Sequence, residues 1–162
     1  MGKKYLENLN KLVKIENALK KNLGTSIPYL EEIIEHIRVA NQNFSRSLFV
    51  IKCAGLFRSQ DQKIFDIGTT LEFLHTASLL HRNLNEIENS RRLKLHVKKI
   101  LGSEASVLIG DYLLSISFRI LTSLGNLDIL ECISLATKNI SRGQVLEISE
   151  QNFLANPKHW YK

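Results

Sequence analysis

The chain has 162 residues, 44% of them hydrophobic and 23% charged, which is the ordinary range for a globular protein and enough for one hydrophobic core. A formal charge of +6 at pH 7 favours an anionic partner. The lysines and arginines are spread along the chain, with local concentrations at Lys20-Lys21, Arg91 to Lys99 and the termini, so a nucleic-acid interface is disfavoured.

Cys53 and Cys132 lie far apart in apolar helical contexts and form no zinc spacing, so both are expected to be buried free thiols. The charged amphipathic N-terminus has no signal-peptide apolar core. The most apolar window, Ala105 to Phe118, carries Asp111 and is too short to span a bilayer, so the expected compartment is the cytoplasm and no transmembrane segment is expected.

In chain order, Leu6, Leu9, Leu12, Val13, Ile15, Leu19 and Leu23 recur at three- and four-residue steps, which predicts a first amphipathic helix that Gly24 can end. Pro28 opens a second, with Leu30, Ile33, Ile34 and Ile37 on its apolar stripe. The polar break from Ala40 to Arg46 leads into Leu48 to Phe57, apolar nearly all round and therefore read as a buried helix. After the polar connection Arg58 to Lys63, Ile64, Ile67, Leu71 and Leu74 begin a long helix that runs into the titratable cluster around His75, His81, Arg82 and Glu86. Arg91 to Lys99 is read as a basic connection, and an apolar helix beginning near Val97 or Ser103 stops at Gly125-Asn126. A further helix covers about Leu127 to Ile148, with Ile129, Ile133, Ala136 and Ile140 inward, and Pro157 opens another at His159 to Lys162. There are no repeats and no hairpin signals, so the predicted fold class is all-α, a bundle of about six helices in a single domain over 1–162.

On a helix, carboxylates at i and i+4 can share a divalent ion with a bound diphosphate. The segment Leu74-His-Thr-Ala-Ser-Leu-Leu-His81 resembles the lead-in to the first aspartate-rich motif of the trans-polyprenyl diphosphate synthase family. Arg91-Arg92 is similar to the arginine pair after that motif, Gly110-Asp111-Tyr112-Leu113-Leu114 to its Gly-Asp-Tyr/Phe-Leu-Leu segment, and Gly143-Gln144-Val145-Leu146-Glu147 to its Gly-Gln/Glu segment. The resemblance implies a partial isoprenoid synthase fold, corresponding to the N-terminal half of an octaprenyl diphosphate synthase-like protein. Ala77 resembles the small residue that opens the pocket floor in long-chain synthases.

Two departures from the family shape the expectation. The three aspartates correspond here to Arg82, Asn83 and Glu86, a degenerate metal site in which one positive, one neutral and one negative group replace three negative charges. At ~4 Å a cation in place of a carboxylate opposes a bound dication by about 1 to 4 kcal/mol, so no metal cofactor is expected, and Mg2+ only with residual activity. The family's Gly-Gly-Lys-Arg-x-Arg-Pro loop corresponds to Asn41 to Ser47, which keeps its last arginine, Arg46, and has Asn43 in place of the lysine. Diphosphate-binding residues implied by the resemblance are therefore Arg46, His75, Arg91 and Arg92, with the plainer readings of a core histidine and a solvated arginine pair beside them. The second departure is length, since the family's chain is roughly twice as long and carries a second aspartate-rich motif. The expectation is a truncated chain in isoprenoid biosynthesis, inactive alone, whose exposed apolar surface is covered by a full-length synthase subunit or by a second copy in a dimer. A residual prenyltransferase completed by another subunit, using Glu86 and Glu88, and a basic helical binding module are the alternatives.

Overall fold

The computed structural model describes residues 2–24, 28, 30–32, 35, 44–59, 61–81 and 91–155, with side chains from 10 onward except 91–101, 103 and 151–155. Among them every regular element is helical. The helices are α1 (Gly2–Leu23), α2 (Ser45–Leu56), α3 (Lys63–His81), α4 (Arg91–Leu124) and α5 (Leu127–Ala155). Of the helix expected after Pro28, the described residues 28, 30–32 and 35 are helical, while the helix expected at His159 to Lys162 lies outside the described residues. The chain divides into two compact units, Met1–Gly125 and Asn126–Lys162.

In the first unit α3 is the central helix, packed against α1, α2 and α4. Its Phe73, Ala77 and Leu80 join Ile15, Leu19 and Leu23 of α1, Ile51 of α2, and Ile109, Leu113, Ile116 and Ile120 of α4 in one core. Each such aliphatic or aromatic side chain, fully buried, contributes about 1.5–3 kcal/mol relative to exposure. Three threonines of α3, Thr69, Thr70 and Thr76, are buried with this apolar set. Two of them satisfy their hydroxyls within the helix: Thr70 Oγ1 donates to the Asp66 carbonyl and Thr76 Oγ1 to the Glu72 carbonyl, each at 2.8 Å.

Helix ends are tied by side chains from other elements. Lys63 Nζ donates to the Leu124 carbonyl at 3.1 Å, placing a cation at the C-terminus of α4, where the helix dipole favours it. Arg119 does the same for α1 through the Asn22 carbonyl at 3.2 Å, and Asn22 Nδ2 donates to Asp66 Oδ1 at 3.1 Å.

Several expectations are corrected. Arg91 to Lys99 is helical rather than a connection, because α4 runs on both sides of Gly102, whose φ of 80° and ψ of 175° kink the helix. Lysine, arginine and leucine are good helix formers, so charge density there does not mark a loop. The apolar part of α4 is also longer than expected: Glu104–Leu124, 21 residues, is long and apolar enough to cross a membrane by length and composition. Its Ile109, Leu113, Ile116 and Ile120 are instead buried in the core shared with α3, as in the core helix of a packed unit. Val13 is exposed despite its place in the apolar stripe of α1. Helix α2 is buried on one side only, with Ile51 inward and Phe49, Leu56 and Phe57 in solvent. Cys53 is half-buried and Cys132 exposed, so the thiols are free, as expected, but not buried.

The second unit is built on α5. Asn126 caps it, its Oδ1 accepting the Ile129 amide at 3.0 Å. Ile133 is buried, whereas Ala136 and Ile140 are exposed rather than inward.

Candidate diphosphate site

The first turn of α2 exposes backbone N–H groups that no intrahelical carbonyl can accept. Its N-cap residue, Phe44, sits in the left-handed region at φ 37° and ψ 43° and has no side-chain oxygen with which to cap them. The missing acceptor comes from α3. Glu72, 3% exposed, accepts the Arg46 amide at 2.8 Å and the Ser47 amide at 3.0 Å through Oε1, and the Arg46 guanidinium at 3.2 Å through Oε2. A buried carboxylate is thereby paired with a cation and placed at the positive end of a helix dipole. Ser47 is fully buried, and a Cβ on Gly68 would come within 3.0 Å of its Cα, so α3 approaches this end of α2 at backbone contact.

His75 lies one turn beyond Glu72 on α3 and is half-buried. Burial is the largest influence on its imidazole and lowers its pKa below the ordinary value; the Arg46 guanidinium lowers it further, and the Glu72 carboxylate opposes both. His75 is therefore neutral at pH 7, with one ring nitrogen able to donate and one to accept. Two of the residues singled out from the sequence, Arg46 and His75, thus come together around a third, Glu72, that the sequence reading missed. The signal available was an acidic residue inside an otherwise apolar or small-residue helix, three positions before a histidine.

The Arg46 side chain is 38% exposed, and Glu72 engages only one edge of its fork. The remaining guanidinium donors suit phosphate oxygens. Arg91 and Arg92 form the first turn of α4, and their side chains lie outside the described residues. So do Arg82, Asn83 and Glu86. Among the described residues there is no group of three or more His, Cys, Asp or Glu side chains that could hold a metal ion.

A second polar junction joins the two sequence motifs flanking that segment. His81, the last residue of α3, places Nε2 at 3.1 Å from Asp111 Oδ1 and 3.3 Å from the Val107 carbonyl. Both partners only accept, so Nε2 carries hydrogen and the ring is held by two acceptors on α4. The ring lies directly over Gly110: a Cβ there would sit 2.3 Å from Nε2. The glycine and aspartate of Gly110-Asp111 thus seat the histidine of Leu-Leu-His81.

These motifs and this helical arrangement coincide with a known family. The polyprenyl synthetase family model matches residues 27–161. The chain belongs to the polyprenyl synthetase family. It is 28% identical over 152 residues to the octaprenyl diphosphate synthase of Escherichia coli, covering 91% of this chain and 47% of that protein. It is 27% identical over 169 residues to the geranylgeranyl diphosphate synthase of Sulfolobus acidocaldarius, covering 93% and 51% respectively. The fold matches the crystal structure of a polyprenyl synthase from Caulobacter crescentus complexed with calcium and isoprenyl diphosphate, with a TM-score of 0.74, 24% identity and coverage of 86% of this chain and 42% of that one. A decaprenyl diphosphate synthase from Rhodobacter capsulatus gives a TM-score of 0.71 at 23% identity, covering 87% and 44%. The chain spans about half the length of the octaprenyl relative, 47%. It is therefore a polyprenyl synthetase family member corresponding to part of a full-length enzyme, and its all-α fold is that of the family's solved structures.

Proposed function

We propose that this chain is a polyprenyl diphosphate synthase-like protein of isoprenoid biosynthesis that binds an isoprenoid diphosphate, does not transfer prenyl groups by itself, and acts as a cytoplasmic partner subunit of a full-length long-chain prenyltransferase. The observation that carries this reading is the Arg46–Glu72–His75 cluster. It holds a guanidinium half-exposed at the start of α2 beside a neutral imidazole, which is a geometry for gripping a diphosphate end. Arg91 and Arg92 supply further charge from the first turn of α4.

Inactivity alone is supported by the donor set. Arg82, Asn83 and Glu86 offer one carboxylate where a divalent ion bridging a diphosphate needs several oxygen ligands, and Arg82 repels the ion. These residues do not fit Mg2+. Partnership is supported by the large apolar side chains left in solvent, among them Leu108 on α4 and Val145 on α5.

Calorimetric titration with isopentenyl diphosphate and incubation with labelled isopentenyl and allylic diphosphates test the reading together. Binding that Arg46→Ala weakens by about tenfold or more, without product from the chain alone, is the expected result. Absence of binding rejects the diphosphate site, and turnover by the isolated chain rejects the non-catalytic role. Co-purification with a full-length synthase, with a change in its product length, is expected of a partner; failure to associate removes that part of the proposal.

A further inference from the structure

Apart from the diphosphate cluster, the most unusual surface is the outer face of α2 and its C-terminal end. Phe49, Leu56 and Phe57 are 68%, 81% and 86% exposed. Phe49, Lys52 and Leu56 recur at three- and four-residue steps and so share one stripe of the helix, with Phe57 following at its C-cap. Together the three apolar side chains present roughly 400 Å² to solvent, comparable to the largest apolar patch of an ordinary monomer, which often serves an interaction. From residue 44 to 60 the sequence has no acidic residue, and the exposed charges beside the patch are Lys52 and Arg58.

Beside this face lies a cleft of about 500 Å³ whose lining includes Lys11 and Lys14 of α1, Gly55 and Ser59 at the end of α2, and Asp61 and Phe65 at the start of α3. Gly55 and Ser59 bracket Leu56 and Phe57 in the chain, so the apolar pair stands at the cleft's rim. The Lys14 ammonium sits 5.4 Å from the centroid of the Phe65 ring. The lining also holds one carboxylate, Asp61, whose Oδ1 accepts the Lys63 amide at 2.9 Å.

We propose that this face docks on a phospholipid bilayer bearing anionic headgroups. Leu56 and Phe57 enter the boundary between headgroups and acyl chains, Lys52 and Arg58 lie among the headgroups, and Lys14 faces a headgroup phosphate from the cleft. Aromatic and aliphatic side chains on one helical stripe with cations at their edge match the pattern of interfacial attachment. A second copy is a poorer occupant, because a contact through this face gathers Lys52 and Arg58 of both copies into one interface with no acidic residue from 44 to 60 to pair them.

Flotation of the full chain with vesicles of phosphatidylcholine, with and without phosphatidylglycerol, tests the proposal. Binding is expected to vesicles containing phosphatidylglycerol and to weaken as salt rises. Leu56→Ser with Phe57→Ser, and separately Lys52→Glu with Arg58→Glu, are each expected to weaken it by about tenfold or more. All four side chains are exposed, so both double variants keep the thermal melt of the parent. Equal binding to neutral vesicles, or full binding by either double variant, overturns the proposal. Sedimentation velocity that shows a dimer abolished by Leu56→Ser and Phe57→Ser, with no vesicle binding, assigns the face to a second copy and overturns it. Chemical-shift changes at Lys14 with inorganic phosphate, without flotation, assign the cleft to a free anion and also overturn it.

Discussion

Replacing Glu72 separates its role as hydrogen-bond acceptor from its role as a charge. In Glu72→Ala the amides of Arg46 and Ser47 lose their shared acceptor, and because Ser47 is fully buried against Gly68, water cannot readily replace it. An orphaned buried amide costs about 1–3 kcal/mol, and loss of the carboxylate at the helix start adds about 0.5–2 kcal/mol. The Arg46 guanidinium is part-exposed and regains water, so its lost pair adds little. The expected destabilisation is therefore about 2–5 kcal/mol. Glu72→Gln keeps an oxygen for the two amides but turns an NH2 group towards the Arg46 guanidinium, so its expected cost is smaller, about 1–2 kcal/mol. Urea unfolding followed by far-UV circular dichroism measures both. The same variants shift His75 in a known sense. Glu72 favours the imidazolium, so Glu72→Gln lowers the midpoint of the His75 imidazole titration by NMR, whereas Arg46→Ala raises it. Equal destabilisation by Gln and Ala, or an unmoved His75 titration in both Glu72→Gln and Arg46→Ala, refutes the picture of a capping carboxylate coupled to Arg46 and His75.

Because the folded-state pKa of His75 is lowered, the unfolded chain binds the proton more readily, so stability rests on the neutral ring and is lost as pH falls from about 6.5 through the lower folded value. Urea midpoints for wild type and His75→Asn across that window are expected to converge as pH falls; parallel curves contradict the assignment. Gly110→Ala puts a methyl group into the His81 ring, displacing it from Asp111 at a cost of about 1–3 kcal/mol, read by urea unfolding and by a change in the His81 ring chemical shifts. Leu113→Ala, at the centre of the α3–α4 core and 1% exposed, is expected to cost about 2–5 kcal/mol in the same assay. Arg82→Asp, Asn83→Asp and Glu86→Asp together are expected to give Mg2+-dependent pyrophosphate binding by calorimetry, since removing one misplaced cation alone relieves about 1–4 kcal/mol. If none appears, the missing donor charge is not the decisive defect.

What the sequence makes legible here follows from which interactions are local. The stripe Ile15, Leu19 and Leu23 is periodic, and the structure buries all three. A continuous apolar run carries no such phase: Leu48 to Phe57 does not say which side faces the core, and only the positions of α1 and α3 turn Ile51 inward and leave Phe49 and Leu56 in solvent. Arg91 to Lys99 is ambiguous for a different reason. Its charge density resembles a loop, while its residue types favour a helix, and the helix is what forms.

The candidate site shows the same division. Arg46 and His75 stand out because motif spacing preserves them, but the residue that organises them does not, since its partners are backbone amides 25 and 26 positions upstream. Those amides need Glu72 because Phe44 offers no capping oxygen and Ser47, unlike a proline, has an N–H to satisfy. His81 has a parallel history: its seat depends on the absence of a side chain at Gly110, 29 residues downstream, where a missing atom rather than a present one makes the contact. Motif spacing thus points to Arg46, His75 and His81, and long-range contacts reveal the residues that hold them in place. The Arg46–Glu72 contacts are made wholly between α2 and α3, so on the proposed reading the Arg82→Asp, Asn83→Asp and Glu86→Asp variant keeps them and changes only the charge beyond the end of α3.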